Sequence, residues 1–158
     1  MTTTDIVRFL AVLFVGLALG PSAAHLLELP NKIGLSRDDY LVVQQIYRGW
    51  NLLAVVVVGA LASTLVLAVR VRWEHRQSRL AIAAFVCLVA AQAVFWFWTF
   101  PMNQATRNWT ELQQVWEPLR AQWEYSHAFG ALLNLAALAL LVLCLLAARP
   151  AASQRPRG

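Results

Sequence analysis

The chain has 158 residues, the length of about one domain. Hydrophobic residues make up 59% of it and charged residues 13%, whereas soluble domains carry roughly 25% charged residues. This composition excludes a disordered chain and argues against a soluble globule. The net charge of +5 would favour a nucleic-acid partner in a soluble protein. Here the basic residues lie mostly at the ends of apolar stretches, so we expect a lipid bilayer as partner and no nucleic acid.

Four apolar stretches are long enough to cross a membrane as helices, because a spanning helix needs about 20 mostly apolar residues. They cover about residues 6–29, 47–69, 80–100 and 125–148. The sequence therefore predicts an all-α, four-helix transmembrane bundle, a single domain over residues 1–148, followed by a flexible basic tail at 149–158. We interpret the first stretch as a retained span and not as a cleaved signal peptide.

Proline and capping residues predict where the helices end. Pro30 disfavours helix at Leu29, so the first helix is expected to stop there. Ser36 and Asp39 form a capping box, so the second helix can extend outward to about residue 36. Pro118 suits a first helical turn, so the fourth helix can likewise begin near residue 118.

The charged residues predict how the bundle is oriented. The two termini and the link between the second and third spans carry eight basic residues against two acidic ones. The other two loops carry five basic residues against six acidic ones. The positive-inside rule therefore places both termini in the cytoplasm. The Ala- and Arg-rich composition suggests a bacterial source, and hence the inner (plasma) membrane.

Polar side chains recur at helical spacing in the outer half of each predicted span. The four stripes are Pro21, His25 and Glu28; Gln44, Tyr47, Arg48 and Asn51; Gln92, Trp96, Thr99 and Asn103; and Glu117, Arg120, Glu124, His127 and Asn134. Polar groups at membrane depth usually face the interior of a bundle. We therefore expect a polar cavity near the extracytoplasmic surface, closed toward the cytoplasm.

The first and fourth spans carry mirrored His and Glu pairs. His25 precedes Glu28 by three residues, and Glu124 precedes His127 by three. Because the two helices run in opposite directions, both imidazoles should face each other at one depth, with both carboxylates about a turn closer to water.

Four interpretations of this pair stay open. The groups could face lipid headgroups, or form a structural ion-pair network in which Arg48 or Arg120 neutralises the carboxylates. They could bind a single Fe, Cu or Zn ion, since two His and a carboxylate suit these metals. They could also transfer protons without a metal. The ligands of a metal would be His25, Glu28, Glu124 and His127.

Most of the tryptophans lie on the predicted outer side of the membrane. An interfacial aromatic belt explains most of them, and the excess would suit the pocket of a flat aromatic ligand. No GxGxxG or CxxCH motif occurs, so the cofactor is unknown and no flavin, nicotinamide or haem site is indicated.

Several motifs together resemble a family of small four-span membrane proteins that includes the fungal anthrone oxygenases. They are Ala24-His25-Leu26-Leu27-Glu28-Leu29-Pro30-Asn31-Lys32, Gln44-Gln45-Ile46-Tyr47-Arg48-Gly49-Trp50, Phe100-Pro101-Met102-Asn103 with Thr106, Asn108-Trp109-Thr110, and Arg120 with Trp123-Glu124-Tyr125-Ser126-His127-Ala128. The resemblance covers nearly the whole chain. It implies oxidation of an activated aromatic carbon by O₂ without flavin or haem.

This activity assigns roles to the polar groups. His127 would be the base, with Glu124 orienting it and His25 beside it. Arg120 or Asn51 would stabilise an enolate oxygen. The expected substrate-binding residues are Tyr47, Arg48, Asn51, Asn103, Trp109 and Arg120.

Two other functions are open beside the oxidoreductase. One is a metal-binding membrane protein, and the other is a non-catalytic accessory subunit of a membrane complex. A homo-oligomer is compatible with each of them.

Overall fold

The computed structural model describes residues 2–148, so the predicted basic tail lies outside the described residues. This part of the chain is helical and contains no strand. Four helical stretches are long and apolar enough to cross a membrane: Thr3–Lys32, Trp50–Arg70, His75–Ala105 and Glu117–Ala147. The predicted all-α fold with four apolar spans is therefore confirmed, and it is the architecture of an integral membrane protein.

The regular helices and the irregular turns between them alternate along the chain. The α-helices are α1 (Thr3–Lys32), α2 (Arg37–Gln44), α3 (Ala54–Arg70), α4 (His75–Val94), α5 (Phe100–Ala105) and α6 (Glu117–Ala147). Two 3₁₀ turns, Gln45–Tyr47 and Trp50–Leu53, separate α2 from α3, and a π-helical turn, Phe95–Thr99, joins α4 to α5. α6 begins with Pro118 in its first turn, as predicted.

The four long helices form a ring in which α1 and α4 each pack against α3 and α6. We call the end that carries the chain termini and the short link between α3 and α4 the terminal end. The opposite end, which carries residues 33–53 and 106–116, is the loop end. Small buried side chains bring the helices close together, as is usual between membrane helices. Gly59 on α3 also allows a close approach, since a Cβ atom there would lie 2.6 Å from the Phe14 ring of α1.

The prediction that the first helix stops at Leu29 is wrong, because α1 continues through Pro30 to Lys32. The proline ring removes one backbone donor, but the next turn still closes: the Ile33 amide donates to the Leu29 carbonyl at 3.0 Å. The added turn places the Lys32 ammonium 3.7 Å from the Glu28 carboxylate, one turn earlier on the same helix face. This ion pair favours continuation of the helix past the proline.

The second predicted helix begins where expected but is not continuous. Ser36 caps α2 by accepting from the Asp39 amide. The chain then leaves the helix, since Arg48 is extended with ψ 126° and Gly49 is left-handed with φ 88°. Glycine adopts this conformation without the steric penalty of a side chain. A single helix from residue 36 to residue 69 is therefore wrong, and so is the common helix face expected for Gln44, Tyr47, Arg48 and Asn51.

Candidate functional site

A cavity of about 1080 Å³ lies among the long helices toward the loop end. This volume is slightly above the range of roughly 300–1,000 Å³ that is typical of small-molecule sites. The wall from α3 and α4 is largely apolar, whereas α1 and α6 supply His25, Ser22, His127 and Asn134. The predicted polar cavity is therefore present, and the irregular segments at the loop end add further polar groups to it, such as Asn51, Asn103 and Asn108.

The two histidines of the mirrored pair stack on each other across α1 and α6, as predicted. Their ring centroids are 4.1 Å apart and the ring planes differ by 24°. Trp123 packs edge-on against both rings, and the centroid of the Tyr47 ring lies 4.6 Å from that of His25. His25 is 5% exposed. Nδ1 of His25 and Nε2 of His127 are buried without a hydrogen-bond partner among residues 2–148. Each imidazole therefore lines the cavity and also has a buried nitrogen that no group among these residues binds.

Lys32 joins the two carboxylates of the pair. Its Nζ lies 3.0 Å from Oε1 of Glu124 and 3.7 Å from Oε2 of Glu28, and it donates to the Tyr47 hydroxyl at 2.7 Å. Lys32 is 3% exposed and Glu124 is fully buried. The Tyr40 hydroxyl also donates to Glu124, at 2.9 Å. These five residues form a buried ionic network one helical turn from the histidines.

The predicted ion-pair network is present, but its cation is Lys32 and not Arg48 or Arg120. Arg120 Nη1 donates to the Leu35 carbonyl at 2.7 Å, and its guanidinium lies 4.4 Å from the centre of the Trp116 ring. Arg48 donates to the side chain of Gln45 at 2.7 Å and is exposed. Neither arginine forms a salt bridge with the carboxylates, because Lys32 already occupies the position between them.

Burial raises the pKa of the Tyr40 hydroxyl, and the negative charge of Glu124 raises it further. Burial likewise raises the pKa of Tyr47, together with its hydrogen bond to Glu28. Both tyrosines therefore remain protonated at neutral pH and act as donors to the two carboxylates.

The expected contact between Glu124 and His127 is absent among the described residues. Oε1 of Glu124 accepts from Tyr40 and Lys32, and Oε2 has no hydrogen-bond partner there. Glu124 is therefore not placed to orient His127 by a direct hydrogen bond. Lys32 competes for this carboxylate, which explains the difference from the sequence prediction.

The predicted metal ligands do not form a ligand set. Within residues 2–148, no group of three or more His, Cys, Asp or Glu side chains is arranged to hold a metal ion. Glu28 and Glu124 are directed to Lys32 and the two tyrosines. The histidine rings stack face to face, so no ion fits between them. The residues present therefore do not fit a site for Fe, Cu or Zn, which was one of the four open interpretations.

Five of the six predicted substrate-binding residues line the cavity, and Arg120 does not. The five are Tyr47, Arg48, Asn51, Asn103 and Trp109. The stripe of the third span, Gln92, Trp96, Thr99 and Asn103, also lines it in full. In the stripe of the fourth span, Glu117 lies exposed at the start of α6, and Asn134 donates to Ser22 of α1 at 3.0 Å.

A strained loop closes one side of the cavity at the loop end. Arg107, Asn108 and Trp109 all have positive φ, from 47° to 60°, a conformation that is strained in non-glycine residues. Asn103 holds this loop to the bundle, because its Oδ1 accepts from the indole nitrogens of Trp109 at 3.2 Å and Trp123 at 2.7 Å. Backbone strain of this kind concentrates at functional sites.

Sequence reasoning missed the role of Lys32 as the cation of this network, and it missed Tyr40. A signal for Lys32 was present, because His25, Glu28 and Lys32 recur at steps of three and four, but the proline rule ended the helix before it. Tyr40 carried no comparable signal, since it reaches Glu124 from a short helix outside the predicted spans.

No protein-family model matches the chain, and neither a curated protein nor a solved structure matches it.

Proposed function

We propose that the protein is a membrane oxidoreductase that oxidises a small lipophilic, aromatic substrate with O₂ inside the cavity. The observation that carries this proposal is the stacked pair of His25 and His127, each with a free nitrogen, on the wall of a large cavity lined with aromatic rings. A flat aromatic molecule can pack among Tyr47, Trp50 and Trp123 with an acidic carbon beside the imidazoles.

The reaction needs a base and an electron-rich carbon. His127 would remove a proton from a benzylic CH₂ group that a ring carbonyl acidifies, which leaves an enolate. The enolate passes one electron to O₂, and the resulting carbon radical and superoxide combine to form the C–O bond. The proton that His127 removed would return to the peroxide and give a C–OOH group. Loss of water then converts the C–OOH group into a carbonyl. One O₂ is consumed, one oxygen atom enters the product, and the other leaves as water.

Of the two predicted enolate donors, Arg120 and Asn51, we assign the role to Asn51. Arg120 lies off the cavity, whereas the side chains of Asn51 and Asn103 line it. The amide of Asn51 can donate to a developing negative charge, which is the kind of stabilisation that lowers such barriers.

We further propose that both termini lie in the cytoplasm of a bacterial cell and that the cavity lies in the extracytoplasmic half of the inner membrane. The excess of basic residues on the termini and the α3–α4 link supports this orientation. A cysteine introduced at Gln113 should react with an impermeant thiol reagent in intact cells, and one at Ser78 should not. The reverse pattern would overturn the orientation.

The oxidation is tested with anthrone as probe, following O₂ consumption and formation of the carbonyl product by purified protein in vesicles. His127→Ala should lower kcat about 10²–10⁴-fold with little change in KM, because it removes a base and not a binding contact. The matched control is His75→Ala, at the exposed start of α4 and distant from the cavity in the fold. It should retain full activity. A folded His127→Ala protein with undiminished turnover would remove the catalytic role.

A further inference from the structure

The cavity reaches the lateral surface of the bundle between α3 and α4. Val58 on α3 and Trp96 on the π-helical turn both line the cavity, yet they are 64% and 55% exposed. Side chains with this exposure lie at the protein surface. The cavity therefore has a slit at the depth of the spans, which we define by Asn51, Ala54, Val58 and Trp96.

The position of the slit follows from how α3 is packed. Gly59 faces α1, where it lies against Phe14. Ala54 is five residues earlier, about 140° around the helix from Gly59. The slit is therefore on the side of α3 that is turned away from α1 and toward α4.

Irregular backbone borders the slit on both sides. The 3₁₀ turn Trp50–Leu53 leads into α3, and the π-helical turn Phe95–Thr99 follows α4. At membrane depth, irregular backbone is tolerated only where it is buried in protein or lines a cavity, and π-helical turns are frequent at functional sites. Both irregular turns therefore point to this opening as part of the site.

The cavity is longer than a compact ring system requires. Along α6 its lining runs from Trp123 to Asn134, which is about 16 Å at 1.5 Å per residue. The lining residues nearest the terminal end on α1, α3 and α4 are all apolar: Ala18, Ala60, Leu61 and Leu88. Polar groups thus surround the histidines, whereas the wall from α3 and most of the slit are apolar. On α6 the lining ends at the polar Asn134, whose amide is bonded to Ser22.

We infer that the ligand is an aromatic lipid whose ring lies beside His25 and His127 and whose alkyl chain passes between α3 and α4 into the bilayer. This inference rests on the proposed function for the position of the ring. The division of the walls matches such a molecule, because the polar wall suits the ring substituents and the apolar slit suits a hydrocarbon chain. Entry from the bilayer also accounts for a cavity that opens sideways at the depth of the spans.

The test uses a photoreactive probe, 2-decyl-1,4-naphthoquinone with a diazirine at the end of the chain. The protein is labelled in phospholipid vesicles without turnover, and the labelled peptides are mapped by mass spectrometry. We expect saturable labelling confined to residues 51–58 and 92–98, which chain-free 1,4-naphthoquinone competes away only at a higher concentration.

Two variants of α3 provide a matched pair. Ala54→Trp fills the slit and should reduce saturable labelling at least about tenfold. Val55→Trp places the same bulk on a neighbouring residue that is 73% exposed and does not line the cavity, so labelling should be unchanged.

Labelling on α1 or α6 would overturn the inference, because the chain would then lie inside the cavity. Uniform, non-saturable labelling of lipid-facing residues would also overturn it, because membrane acyl chains alone would then fill the slit. Saturable labelling of the slit by a protein that does not oxidise anthrone would keep the lipid site and refute the oxidation. Oxidation of anthrone without saturable labelling would keep the proposed oxidation and refute the lipid site.

Discussion

At the terminal end the long helices touch through small apolar side chains, whereas at the loop end they surround a cavity and are joined by polar groups. Ala11, Ala81, Ala84 and Ala137 are all fully buried at or near the terminal end. At the loop end the buried groups include Lys32 and Glu124. The two ends therefore depend on different interactions, namely close packing at one and charge pairing at the other.

This difference indicates why the cavity can exist. Close packing leaves few voids, and every added methylene in such a region must displace a neighbour. Ionic and hydrogen-bonded groups hold helices together at fixed distances and leave space beside them. Lys32 joins α1 to α6 through Glu124 in this way, and the stacked histidines lie next to that junction.

Removing the charge of Lys32 should have the largest effect on stability. Lys32→Met leaves the fully buried Glu124 carboxylate without its cation, which destabilises a protein by about 3–5 kcal/mol. Thermal unfolding in detergent, followed by tryptophan fluorescence, measures this change. The control is Arg107→Met, which breaks an exposed ion pair with Glu111 and should change stability little.

The double variant Lys32→Met/Glu124→Leu separates charge from packing. Replacing a whole buried ion pair with apolar groups of similar volume is often neutral, so the double variant should recover part of the lost stability. The Tyr40 hydroxyl loses its acceptor in that variant, which costs about 1–3 kcal/mol. If it were as unstable as Lys32→Met alone, the lysine would act through its packing, and the proposed contrast between the two ends would fail.

Larger side chains on α4 should destabilise the terminal end more than the loop end, and this effect on stability should be of intermediate size. Ala84 and Ala91 lie two turns apart on one face of α4, but only Ala91 lines the cavity. Ala84→Leu should destabilise the protein by about 1–3 kcal/mol because it overfills a packed region. Ala91→Leu should be tolerated with a smaller loss, because its added atoms can enter the cavity. Equal losses in the two unfolding curves would show that the region around Ala91 is as tightly packed as the terminal end.

The parts of the fold that the sequence predicted are those that one strong physical constraint determines. A long apolar stretch in lipid must satisfy its own backbone hydrogen bonds, so the four spans could be located from composition alone. The contact between His25 and His127 followed from helical spacing and antiparallel direction, and the structure confirms it.

The parts that the sequence did not predict depend on competition between local rules. Pro30 predicts a helix end, but the pairing of Lys32 with two carboxylates favours one more turn. Gly49 permits a left-handed residue without requiring one. The π-helical turn Phe95–Thr99 has no marker in composition, because it adds one residue to a helix that continues on both sides. Tertiary contacts decide each of these cases.

The smallest expected effect concerns backbone strain at the loop end. Arg107 has φ 47°, where glycine is favoured over alanine by about 1 kcal/mol. Both Arg107→Gly and Arg107→Ala lose the ion pair with Glu111, so the difference between them isolates the strain. Arg107→Gly should therefore be the more stable of the two by about 1 kcal/mol in thermal unfolding.

Ala83, inside the regular α4 helix, is the reference. There Ala83→Gly should destabilise by roughly 0.5–1 kcal/mol, because helical geometry favours alanine. A glycine that weakens both positions equally would mean that the loop relaxes to negative φ in solution, and that the strained loop is not a fixed wall of the cavity.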